Sequence, residues 1–154
     1  MNKIMQHALR FLTLREYSEQ ELRQRLCKTY TLDEVDAAIT RCKAQGLLSN
    51  ERFVESRIRH RIQQAYGPRF IQQDLSLHGI EADVINAQLI DDDDFWVEQA
   101  SRLLAKKYRV LTVDQKLKAQ RYLYQRGFSG SQIQTAMRQV LINQKSREDD
   151  EENG

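Results

Sequence analysis

The sequence predicts an all-α fold: three tandem three-helix repeats forming an elongated, curved molecule. Three observations point there. First, one pattern recurs. Tyr30, Ile80 and Phe128 each precede a helix start; five residues later come Val35, Ile85 and Ile133; four further on come Ile39, Leu89 and Met137. The copies are 50 and 48 residues apart, a period that marks one supersecondary unit used repeatedly, with neighbouring copies sharing buried surface. Second, the 154 residues hold one Pro and six Gly, too few for a turn-rich β fold, while Gln, Leu, Arg, Lys, Glu and Ala are abundant helix formers. Third, no segment shows strict apolar–polar alternation with β-branched residues, so no strand is predicted. The expected modules are 1–48, 49–91 and 92–143, followed by a disordered acidic tail over 144–154.

In the first module a helix runs from about Met5 to Leu14, with Ala8, Leu9 and Leu12 as its apolar stripe. Ser18 opens a second helix with Glu21 three residues on, a capping box, and Tyr17 and Leu22 flank the cap as a hydrophobic staple. Leu22 and Leu26 face inward. Thr31 and Glu34 open the third helix, stapled by Tyr30 and Val35, and Val35, Ile39 and Cys42 form its buried stripe. Gly46 suits the position just past the helix end.

The second module repeats this grammar. Phe53, Val54, Ile58, Ile62 and Ala65 form the first stripe. Pro68 fits the first position of a helix, where its missing N–H costs nothing, with Tyr66 and Ile71 at the staple positions. Ile71 and Leu75 match Leu22 and Leu26, and Gly79 stops the helix before Ile80. The third module is looser. Phe95, Trp96, Ala100, Leu103 and Leu104 supply a stripe, Thr112 with Gln115 caps the next helix, and Leu123 and Gly127 match Leu75 and Gly79. Ser129 caps the last helix, with Phe128 and Ile133 as its staple. Beyond about Asn143 the apolar period stops, which predicts the disordered end.

Modules of about 50 residues bury too little surface to be secure alone, so they should lean on each other. Cys27 and Cys42 have no C-x-x-C spacing, which disfavours a disulfide scaffold and suits a reducing compartment. The N-terminus lacks an unbroken apolar stretch and a small-residue cleavage site, and no run approaches membrane-spanning length. A cytoplasmic monomer with no membrane partner is expected. The net charge of +2 hides a segregation. Residues 80–98 hold seven acids and no Lys or Arg, whereas residues 102–126 hold eight bases and the single acid Asp114. Separated blocks of this kind suggest a charged working face.

No catalytic, cofactor or metal site is expected. His7, His60 and His78 are scattered, and no zinc-type spacing, nucleophile elbow or phosphate-cradling loop is present. Asp91, Asp92, Asp93 and Asp94 lack the glycine and distal Glu of a calcium loop; at a helix N-terminus they complement its dipole. The candidate binding residues are basic: Arg57, Arg59 and Arg61 in the second module, then Arg102, Lys106, Lys107, Arg109, Lys116, Lys118 and Arg121 in the third. Such arrays suit phosphates or acidic protein surfaces. Read singly, each is the wet face of an amphipathic helix; one acid among eight bases favours a binding face for the block. Tyr122 and Tyr124 stand among these bases and are read as packing residues, although aromatics beside cations can stack on nucleobases.

Several stretches resemble the RecX family. Tyr17-Ser18-Glu19-Gln20-Glu21-Leu22 with Leu26 is similar to its first-module signature, and Gly46-Leu47-Leu48-Ser49-Asn50-Glu51-Arg52-Phe53 to the bridge that follows. Gly67-Pro68-Arg69-Phe70-Ile71 with Leu75, Gly79 and Ile80 resembles its most recognisable motif; Arg121-Tyr122-Leu123 with Arg126-Gly127-Phe128 resembles the closing module. Asn50 stands where members often carry Asp, and Tyr30 where a Lys-Gly-like helix end is common. The resemblance implies a non-enzymatic regulator that binds the RecA protein and the RecA filament on single-stranded DNA. It implies restraint of filament growth, ATP hydrolysis, strand exchange and coprotease activity. The basic block can meet acidic protein, DNA directly, or both. The alternatives are a helix-turn-helix-like DNA-binding regulator and a helical-repeat scaffold for a protein partner.

Overall fold

A computed structural model of the chain describes residues 2–153. Among these it holds nine α-helices, one 3-10 turn and no strand. The helices form three successive triplets: α1 (Lys3–Leu14), α2 (Glu19–Leu26) and α3 (Leu32–Ala44); α4 (Asn50–Gln63), α5 (Pro68–Leu77) and α6 (Ala82–Gln88); α7 (Asp93–Lys107), α8 (Lys116–Gln125) and α9 (Gly130–Asn153). The described residues gather into two compact units, one made of residues 2–60 and Gln73–Leu89, the other of Arg61–Gln72 and residues 90–153.

In the first unit local chemistry sets the helix starts. Asn2 Oδ1 accepts from the Met5 N–H at 3.0 Å, so α1 begins at Lys3, two residues before the apolar stripe alone suggests. The predicted capping box at Ser18 is complete: Ser18 Oγ accepts from the Glu21 N–H and Glu21 accepts from the Ser18 N–H, both at 3.1 Å. Burial alone would push the Glu21 carboxyl up; the Arg15 guanidinium, at 3.0 Å, and the Ser18 N–H more than offset this and hold it below its ordinary range. The stripes of α2 and α3 meet as predicted, with Leu22, Leu26, Val35, Ile39 and Cys42 buried in one core; α1 brings Ile4, Met5 and Ala8 to it, with Leu12 at its edge and Leu9 outside it. Burial pushes the Cys42 thiol up, which keeps it protonated and unreactive. Leu89 departs from the repeat. The last helix of the second triplet ends at Gln88, and Leu89 is extended and half-buried, not a second inward turn.

The second unit is organised around Trp96 and Phe128, both at most 1% exposed. The Trp96 indole N–H donates to the Ile90 carbonyl at 2.8 Å, satisfying the one polar group this large side chain buries. Thr112 and Gln115 pair as predicted, but the turn they open is a short 3-10 stretch, Val113–Gln115, that leads into α8. Ser129 and Gln132 form a reciprocal cap at α9, at 3.2 and 3.0 Å. The acid run is a helix start: Asp92 caps α7 by accepting from the Asp94 N–H at 3.0 Å, and Asp93 accepts from the Gln132 amide at 2.9 Å. After Val140 the buried period stops, yet the predicted disordered tail is not seen. Helix α9 continues to Asn153, with residues 145–152 exposed. Once a docked helix exists, each further residue adds a hydrogen bond without a new nucleation cost, and Lys, Arg and Glu propagate well.

Two turns lock this unit. The Gly67 N–H donates to the Arg126 carbonyl at 2.7 Å, and the Arg69 N–H donates to the Gly127 carbonyl at 2.9 Å. These are donors that the start of α5 leaves without helical partners, set against acceptors that the end of α8 leaves likewise. The two backbones approach so closely that a Cβ on Gly67 would lie 2.6 Å from three backbone atoms of Gly127 and Phe128. Gly127 itself has φ +97° and faces Phe70. Gly130, also at a helix start, has nothing within 4 Å of such a Cβ. Gly67→Ala should therefore lower stability by about 1–3 kcal/mol, the cost of overpacking against atoms that cannot step aside. Gly130→Ala should be neutral or stabilising. Chemical denaturation of both variants checks the contrast.

Candidate partner-binding surface

The basic block lies in the second unit and is positioned by contacts around the end of α7. Lys106 and Lys107 occupy the last turn of that helix, where its dipole favours cations. Lys107 Nζ sits 3.6 Å from the centre of the Tyr122 ring on α8. The connecting segment is pinned by Gln144, whose side chain accepts from the Leu111 N–H at 2.7 Å and donates to its carbonyl at 3.3 Å. Lys106, Lys107, Arg109, Lys118 and Arg121 are exposed and Lys116 is half-buried. Among the described residues none of these six forms an ion pair with a carboxylate. A set of cations left uncompensated on one unit keeps its full attraction for phosphate or carboxylate.

The other four predicted residues behave differently. Arg102 pairs with Glu98 at 3.0 Å across one exposed helical turn, an interaction worth about 0.3–0.5 kcal/mol. Arg57 is three-quarters buried. Its Nε donates to Asp74 at 2.9 Å and its Nη2 lies 3.4 Å from His78. Periodicity placed it beside the apolar stripe of α4, and that edge is where α5 packs. Arg59 is exposed in the first unit. Arg61, in the second, donates to Gln64 at 2.8 Å and lies over the rings of Tyr66 and Phe70. The histidines have local partners or solvent: His78 Nδ1 is 2.7 Å from the Asp74 carbonyl, His7 is 2.5 Å from the Tyr30 hydroxyl, and His60 is exposed.

The contacts of Arg126, Arg69, Tyr66 and Tyr124 are not readable from the sequence. Arg126 hydrogen-bonds the carbonyls of Gln64 and Ala65, and its guanidinium lies 3.8 Å from the centre of the Tyr66 ring. It thereby caps the end of α4, where Ala65 holds φ +66°, a conformation that costs an L-residue roughly 1–2 kcal/mol. Tyr66 stacks on Phe70 with ring centres 3.8 Å apart. Tyr122, half-buried beneath Lys107, packs as expected. Tyr124 does not: it is 62% exposed, with the Arg69 guanidinium 5.7 Å from its ring centre. It borders an open groove of about 360 Å³ between α8 and α9. The only hint of these roles was the nearness of Tyr66 to Gly67 and of Arg126 to Gly127; the pairing spans about sixty residues.

Comparison with known proteins follows the same three-part division. Family models described as the first, second and third three-helix domains of RecX match residues 5–42, 49–89 and 93–137. The "Regulatory protein RecX" of Legionella pneumophila (strain Corby) is 39% identical over 144 residues, covering 91% of this chain and 96% of that one. Its namesake in Actinobacillus pleuropneumoniae serotype 5b is 38% identical over 124 residues, covering 79% and 82%. The crystal structure of RecX from Lactobacillus salivarius superposes with a TM-score of 0.79 at 24% identity, over 91% of this chain and 96% of that one. No helix among the described residues is long and apolar enough to cross a membrane.

Arg126→Ala should destabilise the fold by about 1.5–3 kcal/mol, the range for hydrogen bonds from a charged group. Arg121→Ala, which removes an exposed cation, should stay within about 0.5 kcal/mol of the parent. Equal denaturation midpoints for the two variants would contradict the capping role.

Proposed function

The chain belongs to the RecX family, and on that premise we propose that it binds the RecA recombinase and its filament on single-stranded DNA. There it restrains filament growth, ATP hydrolysis, strand exchange and coprotease activity. It acts by occupying surface, without a catalytic step of its own. The observation that supports this most is the in-order match of all three RecX domains along a chain whose third triplet carries an uncompensated basic surface. Lys106, Lys107, Arg109, Lys116, Lys118 and Arg121 are the groups we assign to that contact. They are long, mobile cations suited to carboxylates on a protein or to phosphates on a strand. Three modules on one chain supply several weak contacts that add as avidity, so no single contact need be strong.

Arg57 and Arg126 are left out of this assignment because both are held by internal partners. Arg59 and Arg102 remain auxiliary candidates, and Arg61 joins the stack around Tyr66. The same cations would serve a duplex-binding regulator; the family match favours the filament.

Rising concentrations of this protein should suppress the single-stranded-DNA-dependent ATPase of RecA. The double variant Lys106→Ala/Lys118→Ala should need several-fold more protein for half-inhibition at low salt, a gap that closes as salt rises. ATPase unchanged at saturating protein would sink the proposal. Equal potency of the double variant would remove those two lysines from the contact.

A further inference from the structure

The groove between α8 and α9 is built unlike a crevice left by imperfect packing. Its apolar lining is Ile133, Leu117 and Tyr124, the last two 57% and 62% exposed. Gln120, Gln134 and Arg121 are among its polar lining residues, and no carboxylate lines it. One ring neighbour of Tyr124 is cationic, the Arg69 guanidinium at 5.7 Å. Leaving an aromatic face and a leucine largely in water forgoes the gain of burying them, so this apolar strip suits a partner that covers it.

The chemistry narrows what arrives. A flat aromatic face takes another flat π system. Side-chain amides both donate and accept, as base edges require. The guanidinium groups of Arg69, near the ring, and Arg121, on the groove lining, suit phosphates, and the lack of a lining carboxylate removes the repulsion that would deter them. We propose that this groove holds one unstacked base of a single-stranded nucleic acid, with the base lying on Tyr124 and the flanking phosphates on Arg121 and Arg69. An acidic peptide would satisfy the two arginines but would leave the amides and the open ring face without a specific role. The site gives the chain its own hold on a strand. It rests on the function proposed above only for the source of that strand.

The test uses the full-length protein alone with a fluorescent oligo-dT and reads binding by anisotropy. Tyr124→Ala should weaken binding by about 5- to 150-fold, the range for losing one base–aromatic stack. Tyr124→Phe should stay close to wild type, because the ring face is kept. Arg121→Ala should lower the slope of log affinity against log salt by about 0.7. A duplex of equal length should not respond to Tyr124→Ala, since its bases are not free to stack. Tyr124 is exposed, so the thermal midpoint of its variants should not move. No oligo-dT binding by wild type, unchanged binding by Tyr124→Ala, or an equal loss on duplex would each overturn the proposal. Unchanged oligo-dT binding with weakened inhibition of RecA would show that the groove holds protein, leaving the RecA reading intact while this one fails.

Discussion

The second unit depends on the meeting of two helix ends. The start of α5 presents N–H groups that its own helix cannot use, and the end of α8 presents carbonyls in the same position. Gly67 and Arg69 donate across the gap to Arg126 and Gly127 at 2.7 and 2.9 Å. The positive end of one helix dipole thus faces the negative end of another. Pro68, which has no N–H to satisfy, sits between the two donors at the first position of α5. The contact excludes a side chain at Gly67 on steric grounds, and at Gly127 on grounds of both space and φ. Arg126 completes it by closing the end of α4 and covering Tyr66.

A looser version of the same joint recurs one repeat earlier. There the start of α2 meets the turn after α5: the Gln20 amide donates to the Leu77 carbonyl at 3.3 Å, and Gln20 fills the space beside Gly79. Gln20 corresponds to Arg69 in the repeat. One joint is bridged by a side chain and the other by bare backbone. The difference follows from Ser18 standing where the later copy has Gly67, since only glycine admits direct backbone approach. The neighbouring Glu19 N–H donates to Asn50 Oδ1 at 2.9 Å, so Asn50 serves as an acceptor there as an Asp would. The consequence for function lies in what the tight joint leaves over. It engages Arg126, Tyr66 and Phe70, and leaves Arg121 and Tyr124 facing outward from α8.

Helix starts were legible in the chain because caps are local chemistry. Ser18 with Glu21, Thr31 with Glu34, Pro68 and Ser129 each reveal a boundary within four residues. Buried stripes were legible for the same reason, through a period of 3.6. What stayed hidden was set by distant partners. Arg57 looks like any exposed helical arginine until Asp74 and His78 fold against it. Arg126 looks like one base of eight until the end of α4 arrives. Tyr124 reads as packing because aromatics normally pack, and only the open side of α8 shows otherwise. The persistence of α9 past Asn143 was missed for a different reason: loss of apolar period signals loss of packing, not loss of helix.

The joint between α5 and α8 shows most directly in the protection of two amides. First-turn N–H groups of a helix usually exchange quickly, because no carbonyl of the same helix covers them. Native-state hydrogen exchange at Gly67 and Arg69 should instead be as slow as at the core amides around Ala136 and Met137, opening only when the whole unit unfolds. Exchange at those two positions as fast as at Gly130 and Ser131, the exposed start of α9, would contradict it.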